Sequence, residues 1–254
     1  MRDRLFLDAL PYAAGAILLG LITIAARDFA FQWQPVPEAF SARAPIAVLS
    51  GILLILGALA SLWLRAGLGR ALLPLSYTIW VLALHVPRVA ANPHLGNLLG
   101  LAEILSLAAA GWASMEWARS PPIRSVARIL FGICPLVFGL SHFVYADITA
   151  SMVPDWLPAK YFWAYFTGVA HFAAGAAILI GVAARIAASL LALMCGLFAL
   201  LLHVPRVAAA PTNRMEWTML GIAISIAGAA WLIRNFVPRQ QAIAIGPHAG
   251  DLAG

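Results

Sequence analysis

Long apolar runs broken by short polar or proline-bearing segments dominate this chain, and their lengths set the first expectation. A bilayer core needs roughly 20 apolar residues per crossing helix. Eight stretches qualify, at about 8–26, 44–64, 71–91, 95–112, 126–145, 161–183, 185–208 and 216–233. A real loop separates the fifth and sixth, whereas the sixth and seventh turn over almost at once near Arg185. The pattern predicts an all-α integral membrane protein with eight transmembrane helices.

Within that pattern the octapeptide LHVPRVAA occurs twice, at 84–91 and 202–209, 118 residues apart. Identity over eight residues points to a duplication, and repeats fix architecture. Arg4, Pro11 and Gly15 also match Arg128, Pro135 and Gly139, each 124 apart, so the first apolar run aligns with the fifth and reads as a helix rather than a signal peptide. The expected organisation is two parallel four-helix repeats, 1–119 and 120–236, followed by a flexible tail at 237–254. Such repeats are related by a pseudo-twofold axis along the membrane normal.

Composition agrees with this picture: 63% of residues are hydrophobic and 10% charged, and the mean hydropathy is +0.91. One lysine, fifteen arginines and ten acids leave a net charge of +6. In a membrane protein that excess records topology and contact with anionic membrane lipids, and nucleic acid is not an expected partner. With the N-terminus in the cytoplasm, Arg2, Arg4, Arg65, Arg70, Arg119, Arg124, Arg128, Arg185, Arg234 and Arg239 lie inside, and Arg27, Arg43, Arg88, Lys160, Arg206 and Arg214 lie outside. The positive-inside rule therefore puts both termini in the cytoplasm of an inner, plasma membrane, and both H-V-P-R segments at the extracytoplasmic side. Cys134 and Cys195 both lie in apolar runs without a CxxC, and read as small buried hydrophobes rather than a thiol relay.

The polar residues inside the spans carry the candidate chemistry. In H-V-P-R the proline reads as a helix terminator or kink. His85 and Arg88 in one copy, and His203 and Arg206 in the other, either satisfy the freed carbonyls and reach the headgroups or converge to bind an anion, a quinone carbonyl or a metal. His142 stands where the first half has Leu18, and His171 where it has about Leu53. At ~1.5 Å per residue His142 lies ~21 Å above Arg128, near the outer interface, and His171 ~16 Å below Lys160, near mid-membrane. Glu103 is a carboxylate in the middle of a span, which calls for protonation or for pairing with His171 or an H-V-P-R arginine. His85 and His203 are compatible with bis-histidine haem ligation, and His142 would complete a three-nitrogen metal set. The chain has no helical histidine pair at i, i+3 or i+4 and no C-x-x-C-H, so a quinone ranks ahead of haem or metal. Two similar loops, 28–40 with Trp33, Pro35 and Pro37 and 147–160 with Pro154, Trp156 and Pro158, read as interfacial segments or lids.

The stretch 139–211 resembles the DoxX-like membrane protein family through G-L-S-H-F at 139–143, V-P-D-W-L-P at 153–158, T-G-V-A-H-F-A-A-G at 167–175 and Arg185-Ile-Ala-Ala. The resemblance implies a four-helix bundle per repeat. In some members it implies quinone-linked oxidation of sulfur compounds or maturation of redox enzymes; others have relatives in cargo handling and receptor assembly. Many members carry a glutamate where this chain has His171.

The leading expectation is a ligand site near the outer face, lined by His142, His171, His203, Arg206, His85 and Arg88, for a small hydrophobic or redox-active molecule such as a quinone. The protein would act alone or beside a redox-enzyme or other membrane partner subunit. The rivals are a proton-coupled transporter or lipid carrier using Glu103, and an assembly factor without a ligand. The second octapeptide, with His142 and His171 nearby, is expected to sit at the working pocket.

Overall fold

The computed structural model describes residues 2–63, 67–115 and 120–237; the tail expected at 237–254 lies, beyond Val237, outside them. All secondary structure among the described residues is helical. Eight helical stretches are long and apolar enough to cross a membrane, Leu7–Ala26, Arg43–Leu62, Leu68–Ala91, Leu95–Ala113, Pro122–Val144, Lys160–Ile180, Ala184–Ala209 and Arg214–Ile233. These match the sequence expectation to within four residues at each end. The chain is thus an all-α, multi-pass membrane protein.

In order, the elements are α1 (Arg2–Ala26), α2 (Arg43–Leu62), α3 (Leu72–Trp80), α4 (Val86–Ala91), α5 (Leu95–Ala113), α6 (Pro121–Val144), α7 (Ala146–Met152), α8 (Lys160–Ile180), α9 (Ala184–Phe198), α10 (Val204–Ala209) and α11 (Arg214–Ile233). The abrupt turn between the sixth and seventh spans is three residues, Gly181 to Ala183, and Gly181 takes the left-handed conformation (φ 80°) that ends α8. Each half runs as a chain of antiparallel neighbours, and the halves interlock: α1 lies along α11 and α5 along α6.

The prolines of the two octapeptides do not end their helices. Pro87 and Pro205 lack the N–H that would bond one turn back, and the backbone absorbs this just before each proline. Val81–His85 and Ala199–His203 are π-helical, with the amides of Val86 and Val204 bonded to the carbonyls of Val81 and Ala199. Each helix then continues to Ala91 or Ala209. The widened turn at the same place in both copies makes the octapeptide a built-in irregularity of the third and seventh spans.

Glycines set the helix crossings, because without hydrophobic drive in lipid the helices gain most from close backbone approach. A Cβ on Gly20 would lie 2.7 Å from the Gly51 carbonyl oxygen, and one on Gly139 would lie 2.8 Å from that of Gly168. Gly139 follows Gly20 by 119 residues and Gly168 follows Gly51 by 117. These two glycine contacts recur at offsets of 119 and 117, beside the 124 of the Arg4, Pro11 and Gly15 match. Gly15 faces Ser225 of α11 and has a different neighbour from Gly139. At the 119 offset the position matching His142 is Thr23, which is itself buried with a hydroxyl lacking a partner among the described residues.

Candidate functional site

The two halves fill their interiors differently. In the first, Trp33 descends from the loop after α1 to complete burial and meets Tyr77 and Trp80 edge-on, with ring centroids 5.9 and 5.7 Å away. Tyr12 packs edge-on to Tyr77 and donates its hydroxyl hydrogen to the Leu107 carbonyl. The Nε2 of His85 lies 3.1 Å from the carbonyl oxygen of Trp33, so this nitrogen carries the hydrogen and the imidazole fastens the loop to the third span. The first octapeptide histidine thus has a structural role through Nε2.

In the second half, Cys195 and Phe198 stand where the octapeptide spacing of 118 places Tyr77 and Trp80 in the first. The loop after α6 does not enter the core: Trp156, expected to resemble Trp33, is 67% exposed. Without a plug from above, three helices bring together an aromatic box of Phe138 and His142 from α6, His171 from α8 and Phe198 from α9. Ring centroids are 4.9 Å apart for His142 and His171, 5.8 Å for Phe138 and His171, and 6.2 Å from Phe198 to each histidine. His142 and His171, placed by the sequence near the outer interface and near mid-membrane, are brought together here. They meet because the Gly139–Gly168 crossing sets α6 directly against α8, with the Cβ of His142 in contact with Gly168.

Both imidazoles are anchored through Nδ1. That of His171 lies 2.8 Å from the Thr167 carbonyl oxygen, and that of His142 lies 3.0 Å from Thr167 Oγ1 and 3.3 Å from the Ala164 carbonyl. Neither Nε2 has a hydrogen-bond partner among the described residues. His203 is buried nearer the motif end of its span, with Nδ1 lacking a partner.

The remaining candidates go elsewhere. Arg88 Nε donates to Asn97 Oδ1 at 2.8 Å, while Arg206 Nε and Nη2 grip both oxygens of Glu216 at 2.8 Å each. Asn97 and Glu216 occupy the first turns of α5 and α11, so each arginine clasps its own helix hairpin. The two H-V-P-R segments lie in separate hairpins, and His85 already uses Nε2 on the Trp33 carbonyl. Among the described residues no group of three or more His, Cys, Asp or Glu side chains is placed to hold a metal ion. Of the two states expected for Glu103, protonated or paired, pairing with His171 or an H-V-P-R arginine is not made, and its Oε2 is buried without a partner among the described residues.

A cavity of about 370 Å³ lies in the first half, not beside the second octapeptide. It opens between α2 and α3 beneath the loop carrying Phe29, Val36, Pro37 and Phe40, and its wall is almost wholly apolar. None of the sequence-derived site residues lines it. Its lining carries no titratable side chain; the histidines gather in the box of the second half.

At the loop end of the bundle, Asp28 ties the halves together. It accepts from Arg43 Nε at 2.5 Å and from Arg214 at 3.3 Å, and Arg214 lies 4.0 Å over the Phe31 ring. At the opposite end Asp8 accepts from Trp231, Arg234 and Asn235. Sequence reading missed both staples, since their partners lie 186 and more than 220 residues away.

A family model described as a domain of unknown function (DUF8561) matches residues 131–234. The match spans the aromatic box, His203 and the Arg206–Glu216 clasp. No curated protein and no solved structure matches the chain.

Proposed function

We propose that this is a DoxX-like inner-membrane protein, built as two parallel four-helix repeats with both termini cytoplasmic, that binds a small hydrophobic, quinone-like ligand in its second half near the extracytoplasmic face. The observation that carries the reading is the pair His142 and His171, 4.9 Å apart, each with Nδ1 tied down and Nε2 unclaimed. Imidazoles held this firmly by their rear nitrogens are positioned rather than merely accommodated. Phe138 and Phe198 supply the apolar surface that a planar ring packs against.

Access from the lipid fits the surroundings. The start of α8 exposes Tyr161, Phe162, Tyr165 and Phe166, and Trp156 stands just before it, an aromatic belt at headgroup level. The identical octapeptides then differ in role: the first closes the plugged half through His85, and the second leaves His203 outside the ring contacts of the box.

The test is to purify the protein in mild detergent, extract and identify bound lipophilic molecules, and measure affinity for a short-tailed benzoquinone. Binding that falls at least tenfold in His142→Ala and His171→Ala supports the reading. No bound molecule, together with unchanged affinity in both variants, overturns it.

One observation favours a second reading, a proton-coupled carrier: the half-buried Glu103 of α5, whose Oε2 is buried with no partner among the described residues. It requires pH-dependent substrate flux in liposomes that disappears in Glu103→Gln.

A further inference from the structure

The hydrogen atoms in the aromatic box select between the redox forms of a quinone-like ligand. A backbone carbonyl has no hydrogen to give, so the 2.8 Å contact between His171 Nδ1 and the Thr167 oxygen requires the hydrogen on Nδ1. For His142 the deciding neighbour is Thr167, whose Oγ1 lies 2.8 Å from the Trp163 carbonyl oxygen and 3.1 Å from that of Ala164. Two lone-pair oxygens approach so closely only when the hydroxyl donates, and Thr167 has one hydrogen to donate. The hydroxyl oxygen must then accept from His142 Nδ1, and the Ala164 carbonyl on the same nitrogen makes the same demand. In the neutral imidazole a hydrogen on Nδ1 leaves Nε2 as a bare acceptor.

The neighbouring hydroxyls do not change this inventory. Thr167 spends its hydrogen on Trp163, and Ser141 spends its own on the Phe138 carbonyl at 2.7 Å. Phe138 and Phe198 offer only carbon. The two histidines and their hydroxyl neighbours therefore present two acceptor nitrogens and no free N–H or O–H donor.

Resting on the ligand reading above, we infer that the box formed by Phe138, His142, His171 and Phe198 takes the hydroxyl-bearing, reduced form of its ligand, a quinol or related phenol, in preference to the quinone. A quinol hydroxyl supplies the hydrogen that Nε2 lacks. A quinone carbonyl would set its own lone pairs against that of the imidazole, leaving both groups unpaired in an apolar site.

The experiment uses the full chain in lipid nanodiscs under anaerobic conditions and three probes: a short-tailed benzoquinone, its quinol, and the quinol dimethyl ether. Calorimetry gives the dissociation constants. The quinol binds about tenfold or more tightly than both other probes, the factor expected for one buried hydrogen bond made or lost. In His171→Asn, where the amide nitrogen replaces the donor to Thr167 and the distal acceptor is gone, the quinol loses about tenfold while the quinone is unaffected. Quinone binding as tightly as quinol, dimethyl ether matching quinol, or His171→Asn weakening both redox forms equally overturns the preference and leaves the ligand site standing. If none of the three probes binds, the ligand reading fails with it.

Discussion

The Trp33 carbonyl oxygen sits 3.1 Å from Nε2 of His85, a contact that the identical octapeptide around His203 does not make. One histidine is a fastener in a closed interior, and its copy keeps a buried nitrogen unpaired. Replacement by leucine, close in volume, separates the two roles. His85→Leu strands the Trp33 carbonyl and costs about 1–3 kcal/mol, whereas His203→Leu removes an unpartnered polar atom and leaves stability unchanged or raised. Thermal unfolding of the two variants in the same detergent checks this; equal losses would show that both histidines are structural.

Trp33 and Trp156 make the same distinction for the two loops. Trp33 is completely buried against Tyr77 and Trp80, so Trp33→Ala costs about 3–5 kcal/mol. Trp156 is 67% exposed, and Trp156→Ala stays within about 0.5 kcal/mol of the parent. Chemical denaturation in mixed micelles reads both.

Gly139 and Gly196 provide a matched pair on the crossing. A Cβ at Gly139 would meet the Gly168 carbonyl oxygen at 2.8 Å, while one at Gly196 meets nothing within 4 Å. Gly139→Ala therefore destabilises by about 1–3 kcal/mol and pries His142 from His171. Gly196→Ala lies mid-helix and stabilises by about 0.5–1 kcal/mol. Unfolding midpoints for the pair, with ligand affinity alongside, test whether the crossing builds the box.

Asp28 makes the staple between the halves sensitive to acid. Burial works to raise its pKa, but the hydrogen bond from Arg43, the Phe29 amide, the Arg43 charge and Arg214 outweigh it and hold the carboxyl below its ordinary range. A depressed folded-state pKa gives stability that is fully present above the unfolded value, about 3.9, and lost as pH falls through the folded value. The parent protein thus holds its advantage over Asp28→Asn at neutral pH and loses it below about pH 4. Stability measured against pH for both proteins gives the difference directly; parallel curves would count against the staple.

Glu103 carries a buried oxygen with no partner among the described residues, so its polarity costs stability where it stands. Glu103→Met raises stability by about 1–3 kcal/mol. A stability gain accompanied by loss of pH-dependent flux would mark a carboxyl kept for transport at the expense of the fold.

What the sequence by itself determined is the local architecture: the eight spans, the short turn at Gly181 to Ala183 and the doubled octapeptide. Hydropathy and helix length are properties of contiguous residues, and lipid forces each such run to satisfy its own backbone bonds as a helix. Even the proline was legible as an irregularity, although the chain alone does not say that a π-turn absorbs it and the helix goes on. The tertiary structure decided which side chains meet. Arg4, Pro11 and Gly15 align with their copies at 124 residues, yet the Gly20–Gly51 and Gly139–Gly168 crossings correspond at 119 and 117, because a glycine's partner is chosen by the helix packed against it. That choice brings His142 onto His171, buries Trp33 but not Trp156, and turns Arg88 and Arg206 into hairpin clasps. Identical octapeptides end in different environments because the loops and helices around them differ, and a side chain's chemistry is set by what it touches.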